Sequence, residues 1–179
     1  MTFLQCHRAI ILCSSTGKVC GGYELGVLMA EATTQVFIDA DLAATIDGAF
    51  ENKLPITVAY VDHDGQPHLS FRGSTQVHSS DQCAIWIRER EGGLVRALPQ
   101  NPRITLMYRD SSTRTTYLIY GRAWVETDPE ISKSVYDKTP IGERDRDPDM
   151  AGVAVIIDVD AIQGGTPEAR INMRRTKPK

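Results

Sequence analysis

The run Arg72-Gly73-Ser74-Thr75, followed by Arg88 and by the pair Gly92-Gly93, gathers residue types that can hold a phosphate. A guanidinium presents a planar fork of donors that matches phosphate oxygens, and its charge strengthens those bonds. Glycine at 73 lets backbone come close to a ligand. A helix opening at 92–93 would turn free N–H groups and a positive dipole end toward an anion. The bland reading of the same residues is a surface arginine pair beside a tight turn, and spacing alone leaves both open. Trp86 also has two readings, packing beside a ligand ring or plain core in a strand. Tyr108, Tyr117, Tyr120 and Trp124 read as packing residues or interface aromatics.

Other chemistries lack their residues. No GxGxxG follows a strand, and Ser15-Thr16-Gly17-Lys18 lacks the leading glycine and spacing of a phosphate-binding Walker loop. There is no GxSxG elbow and no HExxH. His7, His63, His68 and His78 do not have ligand spacing and read as surface or turn residues. Cys6, Cys13, Cys20 and Cys83 form no CxxC pair, so neither a zinc site nor a redox pair is expected. No side chain stands out as a general acid or base.

Alternation and turn chemistry supply the elements that must position the arginines. Asp39 or Asp41 can cap a helix whose apolar face carries Leu42, Ile46, Ala49 and Phe50. Residues 56–61 form a strand, and Asp62-His63-Asp64-Gly65 turns it into a second strand over 67–74. Residues 76–82 are polar and read as a loop. The third strand, 83–88, sets Ala84, Trp86 and Arg88 on one face and Ile85 and Ile87 on the other. A short helix from Gly92-Gly93 stops at Pro99 and Pro102. A fourth strand follows over 103–108 and a fifth over 115–126, with Gly121 as a bend or bulge. Asp128 caps a helix with Pro129 in its first turn, running to about Lys138. Residues 142–150 are charged and loop-like, and 152–159 form a sixth, continuously apolar strand. Six strands with short helices and few βαβ repeats predict a mostly β (α+β) fold, a six-stranded split barrel.

Composition is that of an ordinary globular chain, with 41% apolar and 24% charged residues. A net charge of −3 gives no nucleic-acid footprint. No apolar run is long enough to span a bilayer, and the expected location is cytoplasmic, with no membrane partner. Residues 1–37 show no sustained period. They read as a loosely ordered extension or as an over-extended reading frame with the native start at Met29. Residues 38–160 hold the barrel. Residues 161–179 carry Arg170, Arg174, Arg175, Lys177 and Lys179 and read as a solvated basic tail.

The ordered set GQP (65–67), SFRGST (70–75), IWIR (85–88), the Gly-Gly helix, NPR (101–103) and a strand with Gly121 resembles the pyridoxamine 5′-phosphate oxidase-like flavoproteins. These are FMN-binding split barrels, and the match covers about residues 38–160. The resemblance implies a homodimer with FMN bound between subunits and a small-molecule substrate. It places Ser70, Phe71, Arg72, Gly73, Ser74 and Thr75 on a first FMN-binding strand, and Ile87 and Arg88 on a second, beside the ring candidate Trp86. Gly93 and Leu94 fall where the family has a basic pair for the FMN phosphate, so Arg72 and Arg88 must supply that charge. Thr116 falls where a polar side chain reaches the cofactor of the other subunit. The family's true pyridoxamine-phosphate oxidases carry a C-terminal Arg-x-His element. This chain ends ARINMRRTKPK and has no histidine after His78, so a different substrate is expected. A deazaflavin-dependent reductase and a non-catalytic flavin or haem carrier or sensor are the alternatives.

Overall fold

A computed structural model describes residues 35–176. The two readings of the N-terminal extension therefore lie outside the described residues as far as residue 34. The elements follow in the order α1 (Ala40–Asp47), β1 (Ile56–Val61), β2 (Pro67–Arg72), β3 (Gln76–Ser79), β4 (Gln82–Ile87), α2 (Gly93–Ala97), β5 (Arg103–Asp110), β6 (Thr115–Val125), α3 (Pro129–Lys138), α4 (Ile141–Arg144), β7 (Val153–Gly165) and β8 (Arg170–Arg174). The expected caps are in place. The Asp39 carboxylate accepts from the Leu42 amide at 2.8 Å, and that of Asp128 accepts from Glu130 at 2.8 Å ahead of Pro129. In the first hairpin Gly65 takes φ +82°, and the Asp62 carboxylate accepts from the Asp64 and Gln66 amides.

All strand pairs are antiparallel in one sheet ordered β2-β1-β5-β6-β7-β4-β3, with β8 also on β7. The sheet has eight strands, not six, and β2 and β3 at its two ends do not pair, so it curls without closing. The edge of β7 opposite β6 is shared: Val153–Asp158 pair with β4 and Ala161–Gly165 pair with β8. Between these lies a bulge. Tyr120 faces Ala161 while Gly121 faces Val159, which leaves Asp160 as the extra residue. An extra residue inverts the side-chain alternation. Val155, Ile157 and Val159 therefore point into the barrel core before the bulge and Ile162 after it. Gly121 is needed opposite, since a Cβ there would sit 2.3 Å from the Asp158 carbonyl oxygen.

Two apolar clusters follow. The larger fills the barrel with Ile46, Ile56, Val58, Ile85, Leu106, Ile119 and their neighbours. The smaller lies on the other face of β4 and β7, where Ala84, Trp86, Ala154 and Ile156 pack under Val135 of α3. This explains the unbroken apolar runs of β4 and β7, which are covered on both faces.

Two polar segments read as loop and tail are strands, because their backbone groups find long-range partners. The Val77 amide of β3 donates to the Asp47 carboxylate at 2.7 Å, its carbonyl accepts from the Lys138 ammonium at 2.9 Å, and the Gln76 amide group donates to the Val135 carbonyl. The basic tail forms the end of β7 and β8. Beyond β8, the Arg175 guanidinium donates to the Asp81 carboxylate at 2.9 Å and to the Val159 carbonyl at 3.0 Å, spanning the split between β4 and β8. Residues 142–144, the start of the run read as loop, belong to the single turn of α4.

Arg174 is exposed whereas Arg175 is not. Arg175→Ala should therefore cost about 1–3 kcal/mol of stability, and Arg174→Ala less than about 0.5 kcal/mol. Urea unfolding of the two variants checks this, and equal losses would remove Arg175 as the clip.

Candidate functional site

The split ends of the sheet open onto a cavity of about 380 Å³. Its wall includes Phe71 and Arg72 from β2, Ser74, Trp86 and Ile87 from β4, Arg88 and Glu89 just past it, Gly92 to Leu94 at α2, and Glu143 and Arg146 at α4. Nine of the residues singled out in the sequence thus meet at one place: Phe71, Arg72, Ser74, Trp86, Ile87, Arg88, Gly92, Gly93 and Leu94. Ser70, Gly73, Thr75 and Thr116 are not in this wall.

Arg72 is the distinctive group. Strand alternation sends it to the same face of β2 as Ser70, and both its Nε and the Ser70 Oγ are buried without a hydrogen-bond partner. Burial draws the Arg72 pKa below its ordinary value. The Tyr60 hydroxyl opposes that, the Arg88 charge adds to it, and the Glu143 carboxylate opposes it. A buried donor without a partner is costly, by about 1–3 kcal/mol. Arg88 stands one residue past the end of β4, exposed at the cavity mouth, rather than on the strand itself. Arg90 lines a different groove, with Met150 and Pro129. The short chain path after β4 thus sends the two arginines to different surfaces.

The hydroxyls of the 70–75 run are committed to the scaffold. The Ser74 hydroxyl donates to the Trp86 carbonyl at 2.8 Å, and that of Thr75 donates to the Arg72 carbonyl at 3.0 Å, fixing the turn from β2 to β3. Gly73 is required by packing, since a Cβ would lie 2.5 Å from the Phe50 ring and 2.9 Å from a Glu143 carboxylate oxygen. At α2 the missing basic pair has a physical reason. Leu94 is a core residue, and a side chain at Gly93 would begin 2.5 Å from the Tyr60 hydroxyl oxygen. α2 itself has only five residues, so its dipole adds little. Thr116 stands on β6, where its hydroxyl accepts from Arg109 at 2.7 Å.

Trp86 is held as core. Its indole N–H donates to the Asp147 carboxylate at 2.8 Å, and its ring meets Tyr136 edge-on at 5.0 Å. Asp147 also accepts from the Ala151 and Gly152 amides at 2.9 and 3.0 Å. Burial pushes its pKa up. The bond from Trp86, the two amides and the Arg88 charge outweigh that and hold it below the usual carboxylate value. Asp147 thereby ties the second strand of the site to the segment after α4. Glu143 and Arg146, which the sequence reading missed, arrive next to it, Glu143 within α4 and Arg146 just past its end, their side chains paired at 3.2 Å. The charged run Glu143-Arg144-Asp145-Arg146 was visible, but nothing local said which of its charges faces inward.

A family model described as pyridoxamine 5′-phosphate oxidase matches residues 42–162. No curated protein matches the chain. Among solved structures, HupZ from Group A Streptococcus is similar with a TM-score of 0.55 at 18% identity, covering 69% of this chain and 92% of that one. An FMN-binding protein from Syntrophomonas wolfei gives 0.52 at 9% identity, covering 70% and 87%. A heme binding protein from Mycobacterium smegmatis gives 0.53 at 13% identity, covering 74% of this chain and 57% of that one. At these identities the likeness speaks for the fold, a mostly antiparallel split barrel.

Because the Asp147 pKa is lowered on folding, its stabilising contribution is complete above its unfolded value and is lost as pH falls through the folded one. Asp147→Asn should lower the melting temperature at neutral pH and flatten the loss of stability below about pH 4. Unchanged acid slopes in thermal melts would contradict this.

Proposed function

The chain belongs to the pyridoxamine 5′-phosphate oxidase family, and we propose that it is an FMN-binding oxidoreductase acting on a small molecule other than pyridoxamine phosphate. The observation that carries this reading is Arg72, a cavity-lining arginine whose buried Nε has no partner. Arg72 lines the cavity, where its guanidinium charge would meet a phosphate oxygen, and the residues around it fit such a group. Arg72 and Arg88 would hold the phosphate by charge-assisted hydrogen bonds. Arg146, on the same wall, adds a third guanidinium where Gly93 and Leu94 supply no charge. Ser74 and Thr75 would act at one remove, by fixing the strand from which Arg72 projects. When bound, FMN supplies hydride transfer at its ring. The chain's part would be to bind and orient it.

A haem-binding role is the second reading, and absorbance separates it from the flavin reading. A deazaflavin cofactor would use the same arginines and differs from FMN by its spectrum. The missing Arg-x-His element after His78 supports a substrate other than the family's vitamin.

The same reading includes a homodimer, with each cavity completed across the interface. The outer face of the sheet supports it. Leu69 and Phe71 are each 74% exposed, although large and apolar. Phe71, Thr57, Met107 and Leu118 form one row across four strands, a surface suited to burial against a second copy. Thr116 lies on that outer face by alternation, as a contribution to a partner's site requires.

Freshly purified protein should show the absorbance bands of oxidised flavin; a Soret band would overturn the reading in favour of haem. Arg88→Ala should weaken FMN binding by about 1.5–3 kcal/mol and Arg90→Ala by little. Equal affinities by flavin fluorescence quenching would move the phosphate site elsewhere. Light scattering should give twice the chain mass of 19.8 kDa, and Leu69→Glu should reduce it toward one chain. A wild-type protein that is monomeric at micromolar concentration would exclude the dimer.

A further inference from the structure

The arginine cavity contains its own carboxylate. Glu143 lines it with Arg72, Arg88 and Arg146, and its side chain is only 15% exposed. Its paired arginine, at 3.2 Å, is largely in solvent with 58% exposure, so solvent screening weakens that pair. The placement of Glu143 is built in. A Cβ added to Gly142 would come within 3.2 Å of the Phe50 ring, and a Cβ at Gly73 would meet both that ring and a Glu143 oxygen. Two glycines and one phenyl ring thus set the carboxylate against the turn that carries Arg72. Electrostatically, Glu143 and Arg72 attract, whereas Arg88 and Arg72 repel.

We propose that Glu143 is a resident counter-ion of this cavity. It offsets the crowded arginines while no ligand is bound and competes with an incoming phosphate for them, which sets the affinity and the charge preference of the site. This inference rests on the reading of the cavity as a phosphate site. A carboxylate beside a doubly charged phosphate monoester repels it. It has no such effect on an uncharged ligand of the same shape. Glu143 is therefore a specificity-determining residue rather than a catalytic one, and it lowers the preference of the cavity for high negative charge.

The test compares wild type with Glu143→Gln, which keeps size and one acceptor oxygen and removes the charge. Flavin-free protein is titrated with FMN and with riboflavin, and thermal melts are recorded with and without inorganic phosphate. Glu143→Gln should bind FMN roughly tenfold more tightly, leave riboflavin affinity unchanged, and show a larger phosphate-induced rise in melting temperature than wild type. An FMN affinity that is unchanged or weaker would overturn the proposal, as would an equal gain for riboflavin. If wild type binds neither flavin, the flavin reading fails, and the phosphate melts still decide about Glu143: equal shifts in the two proteins refute it. Glu143→Asp provides a folding control. It retains the charge and should show the wild-type phosphate shift, whereas a shift matching that of Glu143→Gln would refute a role for charge.

Discussion

The architecture depends on a single strand that is covered on both faces and shared along one edge. β7 packs Val155 and Ile157 into the barrel and Ala154 and Ile156 under α3, so no position in that stretch can be polar without leaving an unpaired group in a core. The same strand must serve β4 along one half and β8 along the other. The extra residue at Asp160 reconciles these demands. It restores an inward apolar side chain, Ile162, on the far side of the bend, and its carboxylate is gripped by the Arg122 guanidinium at 2.9 and 3.0 Å. Without the bulge, the second half of β7 would turn its apolar side chains to the wrong face.

The cavity is a consequence of that arrangement. A sheet whose end strands β2 and β3 do not pair leaves a gap where both leave the barrel wall, with Arg72 at the end of β2 and Ser74 in the turn that follows lying at its edge. β4 ends opposite Val153, which releases Arg88 beside the same gap. The segment after α3 then closes the third side. Its position is fixed by the Trp86–Asp147 bond and by the Tyr136 hydroxyl, which donates to the Asp147 carbonyl at 2.8 Å. Three chain segments far apart in sequence meet because each is tied to β4 or β7.

What could be read from sequence was whatever local chemistry decides. The caps at Asp39 and Asp128, the glycine of the first hairpin, the two faces of β4 and the irregularity at Gly121 all follow from one residue and its near neighbours. The polar strand β3 and the basic strand β8 were hidden. Their strand character comes from groups such as Asp47, Lys138 and Asp81, distant in the chain, and not from their own hydrophobicity. The site divides in the same way. Arg72 and Arg88 were legible by residue type and by order relative to the glycines. Ser74 and Thr75 were visible too, but as hydroxyls bound to backbone carbonyls they serve the turn. Glu143 and Arg146 could not be found locally, because a charged run gives no sign of which member faces inward.

The charges of the cavity show why such a site would be built from arginine. Lysine desolvated to this degree shifts its pKa and tends to neutralise, whereas a guanidinium stays charged through partial burial. The consequence is an unpaired Nε at Arg72 and a nearby like charge at Arg88, both unfavourable in the free protein. Glu143 relieves part of that strain without reaching the Nε. On the proposed reading, a ligand phosphate would offset the remaining like-charge repulsion, so part of the free energy withheld from folding becomes available to binding. On that reading, the balance between those two terms is set by a side chain on a four-residue helix that packs, through Gly142, on Phe50, in the turn just past the end of α1.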